Sequence, residues 1–168
     1  MALIIEDGTI VANANSYVTV AEIQAFAAAR SLTLPDTDAE IEVLAIKAMD
    51  YLASLEGHFQ GYRVSETQTV SFPRSPVYIY GFQIGQTIPI NLKNAQSQLA
   101  FDWINSDLQS TGDGREVLET GMGPMKKKYA ESGSTNSQVN PTAAMAFLAS
   151  LLRSDSSLTG NVNFGVSR

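Results

Sequence analysis

Apolar residues recur at steps of three and four in four stretches of this chain, and each stretch reads as an amphipathic helix. The clearest opens with the T-x-x-E spacing of Thr37 and Glu40, a helix-start signature. Ile41, Leu44, Ala45, Ala48, Leu52 and Leu55 follow as one continuous stripe, with Met49 and Tyr51 widening it. Gly57 is a natural C-terminal stop. An earlier helix starts at Thr19, where Glu22 completes a capping box and Val18 and Ile23 are placed as a hydrophobic staple. It carries Ile23, Phe26 and Ala27 on one face, runs to about Arg30, and is broken between Leu32 and Pro35. A third has Pro89 in its first turn, where the missing N–H costs nothing. Leu92, Ala95, Leu99, Trp103, Ile104 and Leu108 line its buried side, and Gly112 ends it. Asn140-Pro141 opens the last, with Ala144, Phe147, Leu148, Leu151 and Leu152 as its apolar face.

The period shortens between these helices. Leu3 to Thr9 reads as an extended piece closed by an Asp7-Gly8 turn. Thr67 to Phe72 alternates and is β-branched, so a short strand is expected there. Pro73 and Pro76 hold their predecessors away from helix. Val77 to Phe82, with Tyr78, Tyr80 and Phe82, reads as an outward-facing loop or edge strand. Arg115 to Tyr129 has the pattern of a hairpin bent at Gly121-Met122-Gly123-Pro124, followed by a polar loop from Glu131 to Val139. Ser154 to Arg168 holds too few apolar residues to fold alone. The expectation is a mainly α chain: a compact four-helix domain over residues 1–153, a small β-hairpin at about 115–129, and an extended C-terminal arm over 154–168.

Composition narrows the function. Of 168 residues, 44% are hydrophobic, which supports a packed core. No apolar run approaches the ~18 residues of a membrane span. Met1 to Gly8 lacks the basic residues of a secretory signal. A soluble protein made in a cytoplasm, with no membrane association, is expected. Cysteine is absent, which removes disulfides, thiolate metal sites and thiol nucleophiles. Seventeen acidic against 11 basic residues give a net charge of −6. Nucleic-acid binders generally show the opposite balance, because Lys and Arg neutralise phosphates.

No catalytic constellation is visible. His58 stands alone, and one imidazole without cysteine makes a poor zinc site. No serine lies in a G-x-S-x-G elbow, and no phosphate-binding glycine loop is present. The acidic pairs Asp36/Asp38 and Glu40/Glu42 fall at a helix start, where the dipole explains them. Neither enzymatic activity nor any cofactor or metal is expected. The one basic cluster is Lys126-Lys127-Lys128, beside Tyr129. On a strand Lys127 faces away from the other two, so a lysine-protected edge is favoured over a phosphate site. Tyr78, Tyr80 and Phe82 could stack on bases, but an interface with another protein is preferred for them. In the arm, Asn161-Val162-Asn163-Phe164 alternates, so Val162 and Phe164 could add as a strand to a partner's edge.

Several stretches together resemble one family. These are Ile5-Glu6-Asp7-Gly8-Thr9 with Val11-Ala12-Asn13-Ala14-Asn15-Ser16-Tyr17-Val18, then Ala48-Met49-Asp50-Tyr51-Leu52, then Gln68 through Phe72-Pro73-Arg74. Ile88-Pro89 leading into the Leu92-to-Trp103 helix follows, and then Gly123-Pro124-Met125 to Tyr129-Ala130. In that order they resemble the head–tail connector (adaptor) proteins of tailed bacteriophages, a family also labelled DnaT-like single-stranded-DNA-binding proteins. Phe72 stands where members often carry Trp. The resemblance implies a helical adaptor in the virion neck, in a homo-oligomeric ring of about twelve copies. Such a ring docks under the portal protein, meets the next neck or tail-completion protein, and lets genomic DNA pass without sequence-specific binding. The alternative function is single-stranded-DNA binding in phage replication.

Overall fold

The computed structural model describes residues 2–105, 117–120, 127–129 and 141–153. Helix α1 spans Val20–Ala28, and its capping box is complete: Glu22 N–H donates to the Thr19 hydroxyl at 3.2 Å, and Thr19 N–H donates to the Glu22 carboxylate at 2.7 Å. Helix α2 spans Asp38–Ser54 behind Thr37, whose hydroxyl accepts from Glu40 N–H. A 3-10 turn, Glu56–His58, closes it. Helix α3 runs over Ile90–Asn105 and packs along α2, with α1 and α4 (Thr142–Leu148) also against it.

The strands come as three separate antiparallel pairs. Strand β1 (Tyr62–Arg63) pairs with β2 (Arg74–Ser75), β3 (Val77–Ile79) with β4 (Phe82–Ile84), and β5 (Val117–Thr120) with β6 (Lys127–Tyr129). The last pair is the hairpin expected at 115–129, with a register irregularity between Val117 and Glu119.

The mainly α four-helix class is not what the chain adopts. Its fourth helix has only 7 residues, so Leu151 and Leu152 follow it in a turn. Much of the core comes from irregular chain before α1 and between α2 and α3. Tyr17, Phe59 and Phe72 are the largest fully buried side chains, and none lies on a helix. Phe59 and Phe72 meet edge-to-face, 5.2 Å between centroids. The expected strand at Thr67–Phe72 is irregular as well. Gln68 replaces the ladder there: its carbonyl oxygen accepts from Val64 and Ser65 N–H, and its amide donates to the Val70 and Pro73 carbonyls. Among the helical residues expected in the core, Leu52 and Leu99 are fully buried, whereas Leu44, Trp103 and Phe147 pack at its margin. The arm over 154–168 lies outside the described residues.

Two buried polar groups hold the irregular start in place. Glu6 is fully buried, and its carboxylate accepts from Gly8 N–H (2.8 Å), Ile10 N–H (3.0 Å) and Val11 N–H (2.9 Å). Gly8 has φ +105°, and a Cβ there would collide with the Gln86 carbonyl, so only glycine fits. Gln96 reaches from α3, accepting from Tyr17 N–H at 2.9 Å and donating to the Ser16 hydroxyl at 2.8 Å and the Ala45 carbonyl at 3.2 Å. The Tyr17 hydroxyl then accepts from Phe72 N–H at 2.9 Å, which links the start of the chain to the Pro73 loop.

Candidate interaction surface

The β3–β4 hairpin turns through Tyr80 and Gly81, with φ of 52° and 83°. Positive φ at both central residues is the geometry that matches the twist of a two-residue hairpin. Glycine takes it freely; a tyrosine there occupies a region that L-residues seldom visit. Asn or Asp would suit the turn better, so local backbone preference does not explain Tyr80. Its side chain is 87% exposed.

The register places Val77 opposite Ile84, Tyr78 opposite Gln83, and Ile79 opposite Phe82. Side chains alternate along a strand, so Val77, Ile79, Phe82 and Ile84 share one face and Tyr78 and Gln83 the other. Val77 is fully buried and Ile79 and Ile84 pack against the core, which roots the hairpin at its base. Beyond that root, Phe82 is 78% and Tyr78 50% exposed, on opposite faces. The hairpin is therefore a finger with apolar side chains on both faces and at its tip. From Ser75 to Leu92 the chain carries no charged residue at all.

Gln60 fixes the finger to the body. Its side-chain oxygen accepts from Tyr78 N–H at 3.1 Å, and its amide donates to the Tyr78 and Ser150 carbonyls at 3.3 and 2.9 Å. One glutamine thus satisfies the outward backbone groups of β3 and ties them to the turn after α4. The same segment holds that turn directly, through Gln60 N–H to the Leu151 carbonyl and Arg153 N–H to the His58 carbonyl. His58 takes part through its backbone. Gly61, with φ +62°, lies so close under the Pro76 carbonyl that a Cβ would clash.

Beneath the finger the cations are already engaged. Arg74 is buried and donates to the Gln60 and Gly61 carbonyls, both at 2.8 Å, and to Glu56 at 3.4 Å. Arg63 makes a two-pronged ion pair with Glu56 and also reaches the Gln68 carbonyl. The Arg63 hydrogen bonds hold the Glu56 carboxyl below its usual range, against partial burial, with Arg74 adding to the effect. Burial lowers the Arg74 pKa despite Glu56, so desolvation outweighs the attraction of that one carboxylate. The Phe72-Pro73-Arg74 motif is thus a structural clasp.

The sequence-derived candidates do not form one site. Tyr78, Tyr80 and Phe82 come together on the finger. Lys127 and Lys128 lie on β6, opposite Thr120 and Glu119 in register. Lys126, Val162 and Phe164 lie outside the described residues. The sequence reading missed Tyr62, on β1, opposite Ser75 in register and 73% exposed. It placed Leu44 and Ile104 on apolar helix faces but missed that, among the described residues, they line a shallow apolar groove of about 450 Å³ with Pro35, Ala39, Glu40 and Val43. Val43 and Ile104 were legible as apolar positions, but not that they would meet across α2 and α3. Among the described residues, no cluster of His, Asp and Glu is placed to hold a metal ion, and no helix is long and apolar enough to cross a membrane.

Compared with known proteins, residues 1–167 match a family model described as "Putative DnaT-like ssDNA binding protein". No curated protein and no solved structure matches the chain.

Proposed function

This chain belongs to the DnaT-like single-stranded-DNA-binding family, and from that premise we propose that it is a non-catalytic protein that binds single-stranded DNA. The match over nearly the whole chain carries this reading. One structural feature supports it: Lys127 and Lys128, from the one basic run in the sequence, lie on the short strand β6, paired with β5. Lysines on a hairpin can follow a phosphate backbone, and for single strands each phosphate neutralised steepens the salt dependence by about 0.7 in log–log slope. Titration of a labelled oligonucleotide tests it. The wild type should bind saturably at low salt, and a variant with Lys126, Lys127 and Lys128 changed to Ala should bind more weakly, with a slope shallower by about 0.7 for each lysine that meets a phosphate. Equal binding by the variant overturns the assignment to this hairpin.

A second reading is favoured by different observations. A net charge of −6 and an uncharged two-faced aromatic finger suit contacts with protein more than with phosphate. These support a structural role in a phage neck, as a connector subunit in a ring below the portal through which DNA passes. The arm over 154–168 would then contribute contacts between subunits. The two readings separate on whether the isolated chain holds single-stranded DNA at all.

A further inference from the structure

We propose that the β3–β4 finger of one copy docks in the apolar groove between α2 and α3 of a second copy, giving a head-to-tail contact. The surfaces match in charge. The finger belongs to a stretch without any charged residue, and five of the six side chains lining the groove are apolar. The sixth, Glu40, has its carboxylate engaged by the Thr37 hydroxyl at 2.6 Å and lies at a helix start, so it is held at the margin. Docking therefore buries no unpaired charge and escapes the desolvation penalty that one would carry. A DNA strand or an acidic partner would find no counter-charge on the finger.

The anchors are of the right kind. Aromatic side chains carry most of the energy at protein interfaces by filling apolar pockets, and each buries ~150–250 Å². Tyr80 stands at the tip in a backbone conformation that disfavours it. Strain of this sort is held where the surroundings over-determine it and the side chain has a use. Gln60 and Val77 fix the root, so little order is lost on docking. Finger and groove are different patches of one chain, so the contact is heterologous: each copy offers a finger to one neighbour and a groove to another.

The absence of cysteine allows a direct test in the full chain. Tyr80→Cys and Val43→Cys are each placed at an exposed position, and far-UV circular dichroism verifies that both variants fold. The mixture should form a disulfide-linked heterodimer at least about tenfold faster than either variant forms a homodimer, from the raised local concentration in a specific contact. Val43→Lys should abolish self-association of the wild-type chain in sedimentation velocity. So should Tyr80→Ser combined with Phe82→Ser, whereas an equimolar mixture of groove and finger variants should recover a dimer through its one intact contact. A monomeric wild type at every concentration overturns the proposal. So does association that persists in both variants, or a groove thiol shielded by the chain's own segment after Asn105 that never cross-links to residue 80.

Discussion

Single buried polar residues decide how the non-helical parts of this chain fold. Tyr17 holds Phe72 N–H through its hydroxyl, and burial pushes its own pKa up. Tyr17→Phe removes the acceptor and leaves that amide buried and unpaired, which should cost about 1–3 kcal/mol in denaturant unfolding. Glu6→Gln places an NH₂ group among three converging backbone N–H donors, and a drop of similar size, about 1–3 kcal/mol, is expected by thermal or urea denaturation. The Glu56 carboxyl, depressed by Arg63 and Arg74, sets a pH dependence. Because its folded pKa lies below the ordinary value, its contribution is intact above about pH 4.5 and fades as pH falls through the folded pKa. The acid limb of stability in Glu56→Gln should be flatter than in the wild type. These residues were hard to find from sequence. Glu6 and Gln96 are polar, and polarity at a single position says nothing about burial until its partners are placed. Several residues that carry the family resemblance build the fold: Glu6, Tyr17 and Arg74 through buried hydrogen bonds, Gly8 through its close approach to Gln86 and Phe72 through packing.

At the scale of elements, helix starts were the most legible feature. The T-x-x-E spacing marked α1 and α2, because this cap signature is written in four consecutive residues, although only α1 completes the box and Glu40 at α2 accepts from the Thr37 hydroxyl instead. The β5–β6 pair was also legible, from the Gly121-Met122-Gly123-Pro124 run in the sequence between the two strands. The strand at Thr67–Phe72 was misread because β-branched alternation gives a preference without supplying a neighbour. Gln68 satisfied the local backbone instead. The actual strands are two to four residues long, too short to show a period. The finger was recognisable as outward-facing, whereas its two-faced character depends on the register of β3 and β4. Gln60 should control it: Gln60→Ala frees the Tyr78 backbone and the turn after α4 together. Amide exchange at Tyr78 and Leu151 should both accelerate, with the α2 amides unchanged. Acceleration at neither site would show that the side-chain clamp adds nothing to the hydrophobic root.

For the whole molecule, counting helices misplaced the fold class. Four amphipathic stretches suggested a bundle, but the irregular segments before and between them carry Tyr17, Phe59 and Phe72 into the centre, so helices and irregular chain share one core. The proposed binding rests on Lys127 and Lys128 of the β5–β6 pair, an uncharged aromatic finger and an apolar groove. The family points to single-stranded DNA, while the finger and groove point to further copies of the chain. Sedimentation velocity with a dye-labelled oligonucleotide, followed at the dye's absorbance and at low salt, decides whether this chain binds single-stranded DNA. The label should move with the protein and be released as salt rises. A label that sediments as free oligonucleotide at every protein concentration would contradict single-stranded-DNA binding by this chain.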